Sequence, residues 1–274
     1  MRQDVSDLLN PFELMALSAA RKASAAILEI YHSGNFQAEQ KADESPLTIA
    51  DKTAHGIISK ILAESGFPIL SEEGIETDYD ERKNWETFWL VDPLDGTKEF
   101  LKQNGEFTVN IALLRKDIPV FGVIAIPVER TVYFGPAKDG GVYCLEEETE
   151  VLKTVTATEV SGSDMAAPAV HPASDLAVRV VASRSHRDPK TEDFISGLKN
   201  PIIVSRGSSL KFLLLAERKA DVYPRFAPTM EWDTAAADAI LRPLNIRIRR
   251  IDDGKYLDYN KKNLRNPFFI CRPD

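Results

Sequence analysis

Two aspartates three residues apart are the side chains best suited to chemistry in this sequence. Residues 92–97 read Asp-Pro-Leu-Asp-Gly-Thr and directly follow the apolar run 88–91, which is typical of a buried strand. Asp92 and Asp95 should then lie at the carboxyl end of that strand, where open α/β sheets hold their ligands. Because Pro93 cannot donate to a strand ladder, we expect the chain to turn here and the two carboxylates to converge. Converging carboxylates are typical ligands of a hard cation.

The residues after the second aspartate favour an anion site beside that cation. Gly96 permits an unusual backbone angle, and Thr97 is predicted to cap a short helix over 98–101. Free amide groups at a helix start attract phosphate, so the segment predicts a phosphate receptor. Taken alone, the same six residues also suit an Asx-turn before a capped helix.

The spacing of the aspartates argues against a carboxylate nucleophile. Haloacid-dehalogenase-type phosphatases use Asp-x-Asp-Gly-Thr, in which the first aspartate attacks phosphorus. Here one further residue and a proline separate Asp92 from Asp95, so both are better placed as metal ligands. Water is therefore the expected nucleophile.

Three further acidic segments lie beside apolar elements. Glu72 and Glu73 follow a predicted strand, Asp51 follows Ser-Pro-Leu-Thr, and Asp233 opens a predicted helix. Each has an ordinary explanation, as a solvated pair or a helix cap. Together with the aspartate pair they are better explained by a cage for two or three Mg²⁺ ions.

Length and composition suit a globular enzyme. The chain has 274 residues at 43% hydrophobic content, and we expect two domains that share a cleft, over 1–165 and 166–274. A net charge of −8 argues against a nucleic-acid polymer as partner. Two cysteines, Cys144 and Cys271, suggest no disulfide framework, and neither begins the Cys-x5-Arg loop of a thiol phosphatase.

No apolar run approaches the roughly 20 residues that span a bilayer, so no transmembrane segment is predicted. The start of the chain also lacks the apolar segment of a signal peptide. We therefore expect a cytoplasmic protein, with peripheral attachment at the inner face of the cell membrane left open.

Periodicity predicts a mixed α/β or α+β fold. Close spacing of the strands between 108 and 145 predicts an antiparallel meander, and residues 156–174 read as an interdomain connection. The predicted helices are 10–34, 51–65, 208–220 and 233–241, and the predicted strands are 69–70, 88–91, 108–114, 120–126, 131–134, 141–145, 178–182 and 220–223.

Five segments, in this order, resemble the inositol monophosphatase superfamily and, within it, the CysQ-type 3′(2′),5′-bisphosphate nucleotidases. They are Ser-Pro-Leu-Thr-x-Ala-Asp (45–51), Ser-Glu-Glu (71–73), Trp-Leu-Val-Asp-Pro-Leu-Asp-Gly-Thr-Lys-Glu-Phe (89–100), Gly-Ser-Ser-Leu-Lys (207–211) and Glu-Trp-Asp-Thr-Ala-Ala (231–236). The resemblance covers nearly the whole chain. It implies the layered α-β-α-β-α sugar-phosphatase fold, dependence on Mg²⁺ and the usual sensitivity to Li⁺.

The resemblance also implies a metal-binding role for the acidic residues. The first Mg²⁺ would be held by Glu72, Asp92 and the Leu94 carbonyl. The second would be held by Asp92, Asp95 and Asp233. Glu73 would support the first ion or bind an additional one through water.

Catalytic roles follow from the same resemblance. Asp51, Thr97 and Glu72 are the implied catalytic residues, with Thr97 hydrogen-bonded to Asp51 so that it orients and helps to deprotonate the attacking water. The amides of Gly96 and Thr97 would grip the phosphate.

The implied substrate is adenosine 3′,5′-bisphosphate, a by-product of sulfate assimilation, which loses its 3′-phosphate. A second phosphate needs extra cations, and Lys211 and Arg225 supply them. The other substrate contacts implied are Ser208, Asp233 and His186, although His186 also suits a plain loop histidine.

Two alternatives stay open at this level. An inositol or other sugar monophosphatase would not need the second phosphate. A non-catalytic metal or nucleotide sensor would not need the intact Asp51 and Thr97 pair. The preference for the sulfated relative of the nucleotide and the choice between monomer and homodimer also stay open.

Overall fold

The computed structural model describes residues 4–40, 46–156, 177–183 and 188–274. Its α-helices are α1 (Val5–Leu8), α2 (Pro11–Ser33), α3 (Ile49–Leu62), α4 (Tyr79–Arg82), α5 (Thr97–Leu101), α6 (Pro189–Ser196), α7 (Leu210–Ala216) and α8 (Ala235–Leu241). Its strands are β1 (Glu39–Gln40), β2 (Pro46–Leu47), β3 (Ile69–Ser71), β4 (Thr87–Asp95), β5 (Thr108–Arg115), β6 (Ile118–Ile126), β7 (Thr131–Gly135), β8 (Val142–Glu146), β9 (Val151–Val155), β10 (Val178–Val181), β11 (Pro201–Val204), β12 (Tyr223–Arg225), β13 (Ile246–Arg250) and β14 (Phe269–Pro273). Short 3₁₀-helices cover Ala63–Ser65, Glu231–Asp233 and Arg242–Leu244.

A seven-stranded sheet forms the first β layer, in the order β3-β4-β5-β6-β7-β8-β9. Strand β3 is parallel to β4, and every later neighbour is antiparallel. The predicted meander is confirmed, and β9 extends it by one strand.

Helices α2 and α3 cover one face of this sheet. Helix α2 begins as predicted, because Asn10 accepts hydrogen bonds from the amides of Phe12 and Glu13 while Glu13 bonds back to the Asn10 amide. It ends at Gly34 in the left-handed conformation. Side chains of alternate residues, such as Trp89 and Val91 of β4, join this helical layer in one hydrophobic cluster.

Helices α7 and α8 cover the other face. Phe88 and Leu90 of β4 point toward them and share a second hydrophobic cluster with residues of α7 and α8. The approach of α8 is close, because a Cβ atom on Gly122 of β6 would lie 2.2 Å from the carbonyl oxygen of Ala236. A side chain at Gly122 would therefore push α8 away from the sheet.

A second set of strands packs on the far side of α7 and α8. Strands β12, β14 and β13 form an antiparallel sheet, and the parallel pair β10-β11 joins it through a bridge between Val180 and Val222. Helix α6 packs beyond it, with Ile195 and Phe194 in a cluster with Val178 and Val222. The layers therefore alternate α-β-α-β-α, which confirms the predicted fold class.

Predictions about the domain boundary, the set of elements and membrane-spanning segments have different outcomes. The domain boundary expected at residue 165 and nearly all of the connection expected over 156–174 lie outside the described residues, so the boundary stays a prediction. The elements that were not predicted are α1, α4, α6, β1, β2, β9, β11, β13 and β14. Among the described residues, none of the helices is both long enough and apolar enough to cross a membrane.

Two local predictions around the aspartate pair are wrong. The strand does not turn at Pro93 but continues to Asp95, because the ladder tolerates the proline at a bulge. Thr97 does not cap the following helix. It is the first residue of α5, and Gly96 occupies the cap position with φ 96°.

Candidate active site

A bulge in β4 turns Asp92 and Asp95 toward the same face of the sheet. Asp92 pairs with Asn110 and Asp95 with Thr108, so three residues of β4 oppose two of β5. Successive side chains of a strand alternate between faces, and residues three apart would otherwise point in opposite directions. Because the bulge adds one residue to β4, Asp95 points to the same face as Asp92, which is the face that α7 and α8 cover.

Glu72 reaches this point from the neighbouring strand. Strands β3 and β4 are parallel, so their carboxyl ends meet at one edge of the sheet. The amide of Glu72 donates to the Val91 carbonyl (3.1 Å), which extends the pairing by one residue beyond β3. Glu73 follows in the same loop and is half-buried.

Asp233 comes from the opposite layer, at the end of the 3₁₀-helix that precedes α8. Burial raises the pKa of Asp233, and the nearby carboxylates of Asp95 and Glu72 raise it further. Burial likewise raises the pKa of Asp92 well above its usual range, and three neighbouring carboxylates add to the shift: Glu72, Asp95 and Asp233. The structure thus brings four predicted acids into electrostatic contact.

The three aspartates use one oxygen each for hydrogen bonds within the protein. Asp92 Oδ1 accepts from the Leu94 amide (3.0 Å), and Asp233 Oδ2 accepts from the Met230 amide (2.8 Å). Asp95 Oδ2 accepts from the hydroxyls of Ser208 and Ser209. Within the described residues, the second oxygen of each aspartate accepts no hydrogen bond.

The types of ligand atom present fit a hard divalent cation, although the side chains do not surround a single point. Carboxylate oxygens and a main-chain carbonyl such as that of Leu94 are the ligands that Mg²⁺ prefers. In the described part of the chain, however, no three His, Cys, Asp or Glu side chains are already arranged to hold a metal ion. When ionised, a buried group of like charges requires a compensating cation, and in the described part of the chain no lysine or arginine bonds these three aspartates, so the residues present fit Mg²⁺.

Thr97 and Asp51 meet beside the carboxylates. The Thr97 hydroxyl donates to Asp51 Oδ1 (3.1 Å) and lies 3.3 Å from the Leu94 carbonyl oxygen. The other Asp51 oxygen accepts from the amide (2.7 Å) and the hydroxyl (2.6 Å) of Thr48, which forms a capping box at the start of α3. Burial raises the pKa of the Asp51 carboxyl. The hydrogen bond that the resemblance implies between Thr97 and Asp51 is therefore present.

Gly96 allows the chain to pass from β4 into α5. Its φ of 96° lies in the region that L side chains avoid, and a Cβ atom there would lie 3.0 Å from the Glu106 carbonyl oxygen. The first hydrogen bond of α5 runs from the Phe100 amide to the Gly96 carbonyl (2.9 Å). The Thr97 amide lies before Phe100 in the first turn, where amides do not take part in the bonds within a helix.

A polar network that the sequence prediction missed fixes Asp95. Ser208 (2.6 Å) and Ser209 (2.8 Å) both donate to Asp95 Oδ2. Asn110 donates to Ser209 (2.9 Å), and Thr108 lies 2.8 Å from the Ser208 hydroxyl oxygen. Thr108 and Asn110 are buried polar residues in an otherwise apolar strand, and that pattern was the available signal. The structure shows Ser208 contacting Asp95, so its predicted substrate contact stays a prediction.

The predicted substrate cations belong to α7 and β12. Lys211 Nζ is 5.8 Å from the centre of the Tyr223 ring, and Arg225 lies two residues further along β12, on the same face. The Arg225 charge also lowers the pKa of Asp233, against the larger effect of burial. Arg225 donates to the Pro228 carbonyl (3.2 Å). His186 lies outside the described residues.

Comparisons with known proteins identify the family and the fold. A model of the inositol monophosphatase family matches residues 8–269. The 3′(2′),5′-bisphosphate nucleotidases CysQ of Salmonella typhimurium and Escherichia coli K12 are each 40% identical over 254 residues, which is 91% of this chain and 95% of each relative. The crystal structure of CysQ from Bacteroides thetaiotaomicron superposes with a TM-score of 0.79 at 44% identity, over 95% of this chain and 96% of that one.

Proposed function

The chain belongs to the inositol monophosphatase family, and from that premise we propose that it is a Mg²⁺-dependent 3′(2′),5′-bisphosphate nucleotidase that hydrolyses the 3′-phosphate of adenosine 3′,5′-bisphosphate to give AMP. The relatives with 40% identity over most of both chains bear the name of this activity. The observation that carries the proposal is the hydrogen bond between Thr97 and Asp51 (3.1 Å) beside the buried carboxylates. A protein that only bound a metal or a nucleotide would have no use for it.

We assign the metal ligands as the resemblance implies. Glu72, Asp92 and the Leu94 carbonyl would hold one Mg²⁺. Asp92, Asp95 and Asp233 would hold a second, and Glu73 would support the first or a further ion through water. Bound Mg²⁺ would favour ionisation of a water molecule and offset the negative charge that develops on the phosphate and the leaving oxygen. Ser208 and Ser209 donate to the same Asp95 oxygen, which leaves the other oxygen for a metal ion.

Thr97 and Asp51 move the proton. Because the Thr97 hydroxyl donates its hydrogen to Asp51, its oxygen lone pairs remain available to accept a hydrogen from the attacking water. As the water gives a proton to Thr97 Oγ1, Thr97 passes its own proton to Asp51 Oδ1. The raised pKa of Asp51 makes this carboxylate a better proton acceptor.

The chain's amides and cations bind the substrate phosphates. The amides of Gly96 and Thr97 face the phosphate that is cleaved, at the start of α5. Lys211 and Arg225 bind the 5′-phosphate, with Ser208, Asp233 and His186 as further contacts. The proposed partner is therefore a small nucleotide, and a cytoplasmic site of action and a monomeric or homodimeric state stay predictions.

A phosphate-release assay across substrates tests the proposal. Adenosine 3′,5′-bisphosphate, its 5′-phosphosulfate relative, adenosine 3′-monophosphate and inositol 1-phosphate should be compared with and without Mg²⁺. We expect release only with Mg²⁺ and the highest kcat/KM on a nucleotide that carries both phosphates. A preference for inositol 1-phosphate would make the protein a sugar monophosphatase, and metal binding without any release would make it a sensor.

A further inference from the structure

The short helix that presents Asp233 is held from one side by the loop 258–266. Glu231, two residues before Asp233, is fully buried, and among the described residues its carboxylate is bonded by that loop. Its carboxylate accepts from the Asn260 amide (2.5 Å), the Lys261 amide (3.0 Å) and Lys261 Nζ (2.6 Å). Its own amide donates to the Leu264 carbonyl (2.9 Å).

A second contact fixes both flanks of this helix. The Asn266 side-chain amide donates to the Met230 carbonyl (2.7 Å) and to the Thr234 hydroxyl (3.1 Å). Met230 precedes the 3₁₀-helix and Thr234 follows it. The loop therefore contacts the helix before, within and after its three residues.

The same loop is tied to the chain on the Glu72 side of the site. Arg82, at the end of α4, is 3% exposed and donates to the Asn260 side chain (2.9 Å) and to the Lys262 carbonyl (3.0 Å). Asn260 donates back to the Arg82 carbonyl (2.7 Å). Along the chain, helix α4 follows the loop that carries Glu72 and precedes β4, which carries Asp92 and Asp95.

We infer that the loop 258–266 positions Asp233 against the other carboxylates, with the buried Glu231–Lys261 ion pair as its anchor. The inference rests on the proposed function, because it takes Asp233 as a metal ligand. A single 3₁₀ turn has little stability of its own, so its side chains point where tertiary contacts hold them. Lys261 acts through Glu231, because its ammonium donates to the Glu231 carboxylate and to the Asp258 carbonyl.

Lys261 is the residue on which this arrangement depends. A buried carboxylate is tolerated when it is paired and hydrogen-bonded, and it becomes strongly unfavourable when its cation is removed. Without the Lys261 ammonium, Glu231 should leave its position, and the backbone that leads to Asp233 should move with it. Partners behind metal ligands typically contribute about tenfold to a hundredfold to metal affinity.

Calorimetric titration of the intact protein with Mg²⁺, without substrate, tests the inference. Lys261→Met removes the charge and keeps most of the stem, Lys261→Arg restores a cation, and Lys262→Met is the matched control at the exposed neighbouring position. We expect Lys261→Met to weaken Mg²⁺ binding at least about tenfold, Lys261→Arg to recover most of it and Lys262→Met to change nothing. The Mg²⁺ concentration for half-maximal phosphate release should rise in parallel, with kcat at saturating Mg²⁺ largely kept.

A second variant covers the case in which Lys261→Met fails to fold. Asn260 has φ 59°, so Asn260→Gly keeps the backbone conformation while it removes the side chain that bonds Arg82. It should weaken Mg²⁺ binding in the same direction. A folded Lys261→Met or Asn260→Gly protein with wild-type Mg²⁺ affinity would overturn the inference, whatever its thermal stability.

The proposed function is decided separately on the wild-type protein. If wild type binds Mg²⁺ but releases no phosphate from bisphosphate nucleotides, the function fails while the binding comparison still tests the loop. If neither the wild-type protein nor its Asp233→Asn variant binds Mg²⁺, both the proposed function and the inference about the loop are overturned.

Discussion

The contacts of the Thr97 hydroxyl distinguish a role in catalysis from a role in metal binding. The hydroxyl carries no charge, and it donates to a buried carboxylate, Asp51, that is also committed to capping α3. Removing it should therefore leave the metal ligands in place while the attacking water loses its partner.

We predict that Thr97→Ala lowers kcat by about a hundredfold or more and changes the required Mg²⁺ concentration little. Thr97→Ser is the matched control, because it keeps the hydroxyl and should retain most of the activity. Initial rates across a Mg²⁺ series measure both quantities. If instead the Mg²⁺ requirement rose and kcat at saturation stayed the same, Thr97 would belong to the metal ligands.

A second residue-scale prediction concerns the 5′-phosphate. Arg225 also influences the charge of Asp233, so Lys211 gives the cleaner test. Losing one charge-assisted phosphate contact costs about 1.5 to 3 kcal/mol, or roughly tenfold to over a hundredfold. Lys211→Ala should lose that much kcat/KM toward adenosine 3′,5′-bisphosphate and much less toward adenosine 3′-monophosphate. The exposed Lys219, just past the end of α7, provides the control variant Lys219→Ala. Equal losses on both nucleotides would remove Lys211 from the substrate site.

At this scale the sequence predicts charged groups better than their neutral partners. The acidic residues were predictable because several carboxylates beside apolar elements have few other uses. Ser209, Asn110 and Thr108 were not predicted, since a hydroxyl or amide in a strand has many possible partners. Which of them reaches Asp95 depends on the pairing of β4 with β5 and on the position of α7.

Among the elements, the bulged end of β4 and the turn into α5 determine the site. The sequence correctly marked this segment as unusual, but it did not show that the proline sits inside the ladder. A register shift is a property of two strands, and it cannot be assigned from one of them.

We predict that Gly96→Ala destabilises the protein more than a glycine substitution without steric conflict. Gly140 also has positive φ (81°) but has no atom within 4 Å of an added Cβ, so Gly140→Ala should cost only the backbone strain, about 1 to 2 kcal/mol. Gly96→Ala adds the contact with the Glu106 carbonyl and should cost at least about 1 kcal/mol more, with a loss of kcat. Urea unfolding and phosphate release measure the two effects. Equal destabilisation by both variants would contradict this account of the turn.

The long and strongly periodic elements were the predictable ones. Helix α2 has a capping box, a proline in its first turn and a terminal glycine, and its bounds agree with the prediction closely. Two edge strands were missed because neither alternates apolar and polar residues: β9 reads Val-Leu-Lys-Thr-Val and is half-buried, and β11 is the short, mostly exposed apolar run Pro-Ile-Ile-Val. Strand β13 does alternate Ile with Arg, and its signal was available in the sequence.

For the whole molecule, the carboxylate cluster lies where the layers meet, and it links metal binding to pH. Burial and neighbouring carboxylates raise the pKa values of Asp92 and Asp233 in the folded protein. In the unfolded chain both groups lose their protons near about pH 4. Without a divalent cation, the folded state therefore holds protons that the unfolded state has released, and stability falls as pH rises from about 4 through the raised pKa values.

We predict that the increase in Tm produced by Mg²⁺ grows between about pH 5 and pH 8, because Mg²⁺ binds the ionised carboxylates and removes their mutual repulsion. Thermal unfolding with chelator and with saturating Mg²⁺ gives this difference at each pH. Asp95→Asn should reduce it. A Mg²⁺ effect that is constant or declines over this range would contradict the cluster as the binding site.

The layered architecture could be predicted from motif order and element sequence, because the family resemblance covers nearly the whole chain. The mutual approach of the two β layers could not, since it depends on contacts such as that of Gly122 with Ala236 and of Arg82 with Asn260. These contacts join residues far apart in the sequence and leave no local pattern.

The most direct test of the central claim is the product of one reaction in ¹⁸O-labelled water. Adenosine 3′,5′-bisphosphate is incubated with the protein and Mg²⁺, and the products are analysed by ³¹P NMR and mass spectrometry. We predict adenosine 5′-monophosphate and inorganic phosphate that carries one ¹⁸O atom, with no turnover when Mg²⁺ is chelated or in the Asp92→Asn variant. Adenosine 3′-monophosphate as product, label in the nucleoside hydroxyl, or undiminished turnover without Mg²⁺ would contradict it.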